Sequence, residues 1–185
     1  VEMAGRAGDQ VGCDRVEDLT LLAPLVLPER GGVALQLVVG GADAEGRRPL
    51  SVYARPDGAE DEPWTQHATG VLATGARPAA FDSAVWPPEG AVPVPLDGFY
   101  DRLADAGFGY GPLFRSLVSA WRAGDEVFAE VGFPEQRRGE ATPFGLHPAL
   151  LDSALHAAAF AGLTEVEGGR LPFSWSGVSL HAVGA

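Results

Sequence analysis

The sequence predicts an α+β chain whose two halves are each mostly sheet. Three observations carry that expectation: strand-like runs crowd residues 18–74, a proline-rich stretch divides the chain, and a long apolar segment with helical spacing follows it. The opening VEMAGRAGDQ has a helical pattern. Strand-like runs follow at Asp18 to Leu25, Val33 to Val39 (alternating as VALQLVV), Leu50 to Ala54 and Thr65 to Thr74. Gly31-Gly32 and the stretch from Gly40 to Gly46 supply turns, so these runs are expected to form an antiparallel sheet. Five of the fifteen prolines (Pro78, Pro87, Pro88, Pro93 and Pro95) fall in RPAAFDSAVWPPEGAVPVP, which reads as a linker over 77–95 between halves at 1–76 and 96–185. Leu96 to Ala106 fits a short helix with Leu96, Phe99, Tyr100 and Leu103 on one face. Leu117 to Arg122 and Glu126 to Phe133 fit a strand pair turned at Ala123-Gly124-Asp125. A helix from Pro148 to Phe160, ended by Gly162, and a strand within LPFSWSGVSLHAVGA complete the second half.

Composition excludes several classes of function. At 185 residues and 46% hydrophobic, the chain can bury a core. Its 13 basic residues against 25 acidic ones give a net charge of -12, and no Lys/Arg cluster interleaved with aromatics is present, so nucleic-acid binding is not expected. Trp64, Trp86, Trp121 and Trp175 are dispersed and read as packing residues. One cysteine, Cys13, precludes an internal disulfide and fits a reducing cytoplasm. No apolar run reaches membrane-spanning length, and the first ten residues lack a signal-peptide layout. Ser153 and Ser174 lie in no G-x-S-x-G elbow, and Gly107, Gly109 and Gly111 do not follow a strand into a helix as a dinucleotide loop would. A helical pattern is already under way at Val1 and a strand lies at the end, so neighbouring segments are expected on both sides.

HPALLDSALH, residues 147–156, carries the chemistry. It sets Asp152 and His156 four apart, on one face of an otherwise apolar helix. A helix this apolar is expected to be buried, and a buried carboxylate is either paired or kept protonable, since desolvation raises its pKa. Asp152 therefore reads as an acid or as a structural carboxylate held by backbone N–H groups, and His156 as its helper or as a satisfied core histidine. His147, Asp152 and His156 do not suffice for a metal site, because no further ligand cluster accompanies them. Tyr110 and Phe114 read equally as core residues flanking a turn.

Taken together, VEMAGRAGDQVG, LTLLAPLVLPE, WTQHATGVL, GFGYGPLFRSL, HPALLDSALH and LPFSWSGVSLHA resemble, in order and nearly end to end, the dehydratase domain of bacterial modular type I polyketide synthases. The resemblance implies a double hot-dog fold, in which each half wraps a sheet around a long central helix. It implies removal of water from a β-hydroxyacyl thioester carried on the phosphopantetheine arm of an acyl carrier protein, with no cofactor of the domain's own. It also implies a cytoplasmic megasynthase with ketoreductase, ketosynthase and acyltransferase neighbours, and pairing as a homodimer. Asp152 matches the family's acid and His156 the position one turn beyond it, where a Gln or His supports the acid by hydrogen bonding. Tyr110, Gly111 and Pro112 match the substrate-lining YGP motif, while Leu171 and Pro172, with Phe173, match the segment that packs beside the catalytic helix. The family's base belongs to a HxxxGxxxxP motif that these residues do not contain. None of His67, His147 and His181 matches it, so the 185 residues are expected to be a fragment, inactive alone. The alternative is a dehydratase-like domain that lacks activity and serves dimerisation or scaffolding. A hot-dog thioesterase is disfavoured by the joint YGP and HPALLD motifs.

Overall fold

The structure, a computed structural model, describes residues 1–76, 85–161 and 171–182. They divide into two compact units, one of residues 1–76 with 172–181, the other built on 85–161.

The first unit is a sheet packed on one helix. Helix α1 (Glu2–Gln10) leads into β1 (Arg15–Leu21), β2 (Val33–Val39), β3 (Arg48–Pro56) and β4 (Thr65–Ala73). Every pairing is antiparallel, as short connections require. The apolar face of α1 and the sheet meet in a core of Ala4, Cys13, Val16, Leu19, Leu50, Ala68 and Leu72. Two glycines permit close backbone approach. A Cβ on Gly8 would come within 2.8 Å of the Cys13 carbonyl oxygen. One on Gly70 would run into the Asp18 carbonyl oxygen, where β1 bulges between Val16 and Asp18.

The second unit begins its sheet with a two-residue strand, β5 (Val92–Pro93), followed by α2 (Phe99–Asp105), a 3-10 turn (Pro112–Phe114), β6 (Leu117–Ala123) and β7 (Glu126–Val131). The sheet order is β5-β6-β7. The β6–β7 hairpin turns through Gly124 and Asp125, with Gly124 at φ 59°, a conformation that suits glycine. Another 3-10 turn, Glu135–Glu140, precedes α3 (Pro148–Leu155), which continues as a 3-10 helix over His156–Ala161. A small core joins Phe133, Ala141, Ala149 and Leu150, with Leu113 and Leu146 against it.

Four expectations change. The last strand, β8 (Ser174–Ser179), pairs with β1 and completes the five-stranded order β2-β3-β4-β1-β8, so 172–181 belong to the first unit and not to a second half running 96–185. Its Trp175 and Val178 pack on the first core, which is the reason for that choice. Part of the expected linker, 77–84, lies outside the described residues, and Val92–Pro93 within it is a strand. The first strand spans 15–21, because the Leu22 and Ala23 amides turn to the His67 carbonyl. The 148–160 helix changes to 3-10 winding at His156, and Gly162 lies outside the described residues.

Gly70→Ala is expected to destabilise the protein by about 2 kcal/mol, since backbone atoms must move to admit the methyl group. A lowered urea midpoint at unchanged slope reads this out.

Candidate active site

Local sequence fixes the start of α3. His147 is the N-cap: its Nδ1 accepts the Ala149 N–H at 3.1 Å, and Pro148 fills the first turn, where no N–H is needed. The His147 ring is wedged edge-on between Phe133 and Phe144, at 4.8 and 4.6 Å. Capping and packing thus occupy this histidine, and among the described residues no three His, Cys, Asp or Glu side chains group as metal ligands.

The helix is docked by Ser153, which has no exposed surface. Its hydroxyl donates to the Phe114 carbonyl at 2.9 Å and accepts from the Ser116 N–H at 3.3 Å, tying α3 to the turn after Gly111 and Pro112. Arg115 Nε in turn donates to the Tyr110 carbonyl at 2.8 Å, holding the same loop.

Asp152 and His156 emerge from this anchored helix with Oδ2 and Nε2 3.4 Å apart. Their side chains are 38% and 5% exposed, so the pair straddles the boundary between core and solvent. This corrects the expectation of a buried Asp152: the helix buries Ala149, Leu150 and Ser153, and the carboxylate sits at the rim, partly exposed. His156 is the buried partner. Its Nδ1 lies 3.3 Å from the Tyr100 hydroxyl, and its Nε2, though close to Asp152, makes no well-directed hydrogen bond. Burial lowers the His156 pKa, and the attraction of Asp152 opposes that only in part.

Two phenols complete the cluster. The Tyr110 ring lies 4.3 Å from that of His156, and the Tyr100 ring 5.6 Å from it. Burial, reinforced by the Asp152 carboxylate, raises the pKa of Tyr110. Tyr100 is also raised, first by burial, against the Leu117 N–H and the Arg115 guanidinium. Both phenols therefore stay protonated and able to donate. The sequence places Tyr100 only on an apolar helix face. Gly111 and Pro112 are exposed beside Tyr110. Leu171 is 78% exposed, and Pro172 falls in the first unit, so neither is gathered with Asp152 in its unit. His67 bonds the Ala23 carbonyl at 3.2 Å and His181 is exposed.

A rim carboxyl backed by a neutral imidazole and two phenols suits proton donation to a leaving oxygen. The family profile described as "Polyketide synthase dehydratase N-terminal domain" matches residues 78–185, and "Polyketide synthase dehydratase domain" matches 1–55. The chain belongs to the polyketide synthase dehydratases. It is 59% identical to polyketide synthase GfsA of Streptomyces halstedii over its whole length, which is 2% of that protein. A solved structure on dehydratase substrate selection for the borrelidin and fluvirucin synthases superposes with TM-score 0.89 at 48% identity, over all of this chain and 64% of that one. The chain thus spans less than two thirds of these relatives, which are parts of large multidomain synthases. The dehydratase CurK of the curacin synthase is 26% identical over 86% of this chain and 57% of its own; its aspartate-to-asparagine and histidine-to-phenylalanine forms, at TM-scores 0.72 and 0.71, are described as inactive mutants. The fold is the double hot-dog of this family. No helix among the described residues is long and apolar enough to cross a membrane.

Two outcomes are expected of this cluster. Ser153→Ala should cost about 2 kcal/mol, because it leaves a buried amide and a carbonyl without their partner; thermal unfolding measures it. Folded His156 takes up a proton less readily than the unfolded residue, so as pH falls past the ordinary value of 6.5 the unfolded chain is protonated first. Stability is then full above that pH and declines as pH drops below it. In His156→Gln, unfolding free energy measured from about pH 7 to 5 should decline less steeply than in the unsubstituted protein.

Proposed function

We propose that the intact domain eliminates water from a β-hydroxyacyl thioester held on an acyl carrier protein, giving an α,β-unsaturated thioester. The rim position of Asp152 above the buried His156 carries this reading. As the acid, Asp152 gives its proton to the β-hydroxyl, the C–O bond breaks and water leaves. The α-proton goes to a base, and its C–H electron pair becomes the new double bond. The inactive aspartate and histidine variants of the CurK dehydratase support a two-residue mechanism of this kind.

The base is not among the four histidines here. His67 is bonded to a carbonyl, His147 caps α3, His156 backs the acid and His181 stands apart in sequence from the family motif. We assign the role to a histidine of the full-length protein. Tyr110, Gly111 and Pro112 line the acyl group, with Tyr110 supplying a donor and Gly111 close backbone approach. Leu171 and Pro172 remain a proposed part of that lining, carried by the family resemblance alone. The carrier protein, the ketoreductase, ketosynthase and acyltransferase neighbours, the homodimer and the absence of a cofactor are proposed on the same ground.

Asp152→Asn in the full-length protein keeps the side-chain volume and removes the acidic proton. Mass spectrometry of carrier-bound β-hydroxyacyl thioester is expected to show an 18 Da loss with the unsubstituted protein and none with the variant, at least about a thousandfold slower. Near-normal turnover in the variant would refute the assignment.

A further inference from the structure

Tyr100 reaches the site from α2, and nothing in the family resemblance gave it a task. Its hydroxyl oxygen accepts the Leu117 backbone N–H at 3.2 Å and lies 3.3 Å from His156 Nδ1. A backbone amide can only donate, so one lone pair of the phenol is committed, and the phenol proton remains to be placed. Nδ1 of His156 is an acceptor within its reach; the Ser153 hydroxyl also lies beside the phenol, but it already accepts the Ser116 N–H and donates to the Phe114 carbonyl. The ring is fixed for this by Phe99 at 5.1 Å, by Tyr110 at 6.4 Å and by the Arg115 guanidinium 5.7 Å above its face.

We propose that Tyr100 is a positioning residue that sets the tautomer of His156: it donates to Nδ1, so the ring carries its hydrogen on Nε2 and presents a donor to Asp152 Oδ2. The relay runs from the Leu117 amide through Tyr100 and His156 to the carboxyl, and each member donates to the next. Its consequence is at the level of single atoms. With hydrogen on Nε2, the imidazole has no lone pair facing Oδ2 and cannot take up the acid's proton. Oδ1 is then the oxygen that carries the proton to the leaving hydroxyl. In the other tautomer, a basic nitrogen would sit 3.4 Å from Oδ2 and compete for that proton. The present 3.4 Å contact is loose, as catalytic hydrogen bonds often are before substrate binds. The raised pKa of the phenol keeps its proton available throughout the neutral range. This assignment rests on the reading of Asp152 as the acid.

A mutant cycle in the full-length protein tests it. Gln at position 156 has an amide donor and no tautomers, so His156→Gln should lower turnover to a still measurable level and make Tyr100 dispensable. Tyr100→Phe, which keeps the ring, is expected to lower kcat about tenfold with KM changed less than about twofold. The same change in the His156→Gln background is expected to lower kcat less than about twofold. Tyr100→Met, without a hydroxyl and with a more flexible side chain, serves if the Phe variant does not fold. Equal losses in both backgrounds would mean that Tyr100 is merely structural, and no loss in either would mean that it does nothing; both overturn the proposal. An inactive, folded His156→Gln also overturns it, because the donor would not be what matters. Activity in Asp152→Asn would instead defeat the acid assignment, and the two failures are read from different variants.

Discussion

The Ser153 hydroxyl, buried on the face of α3, bonds both the Phe114 carbonyl and the Ser116 amide, and much of the site's geometry follows from those two bonds. They fix how far α3 has turned about its axis. Asp152 precedes Ser153 and so is swung toward the rim, while His156, three residues beyond, lies on the buried side. They also hold the loop after Tyr110 against the helix, which keeps the Tyr110 ring on His156. A hydrophobic contact in the same place would be less directional. Two hydrogen bonds to backbone atoms specify one rotation of the helix, and both backbone groups would be unsatisfied in any other.

Burial then divides the labour of two ionisable side chains. Water reaches Asp152 and not His156, so the carboxyl can meet a substrate while the imidazole remains a neutral partner behind it. A neutral imidazole places no fixed cation behind the carboxyl, which suits the acid role proposed for it.

The first unit has a different logic. Its sheet is held by many ordinary antiparallel bonds, and its core is made of small and medium side chains that let α1 lie close to β1. Gly8 and Gly70 mark where backbone meets backbone too closely for a Cβ. The strand β8, distant in sequence, is accepted at the β1 edge because Trp175 and Val178 add apolar surface to that core.

By itself the sequence determined what depends on neighbours along the chain. The i, i+4 spacing put Asp152 and His156 on one helical face, Pro148 marked the helix start, and alternation located β2 at Val33–Val39 and the hairpin around Gly124. Tertiary structure decided what depends on remote partners. Hydropathy gives the apolar face of a helix but not the few tens of degrees of rotation that expose Asp152 and bury His156; Ser153 sets that through residues more than thirty positions away. The strand at 174–179 carried no mark of its partner, because any unpaired strand edge offers the same N–H and C=O groups. Nor could Tyr100 be told from a packing residue, since its ring serves the core and only its hydroxyl, meeting a histidine 56 residues on, enters the site.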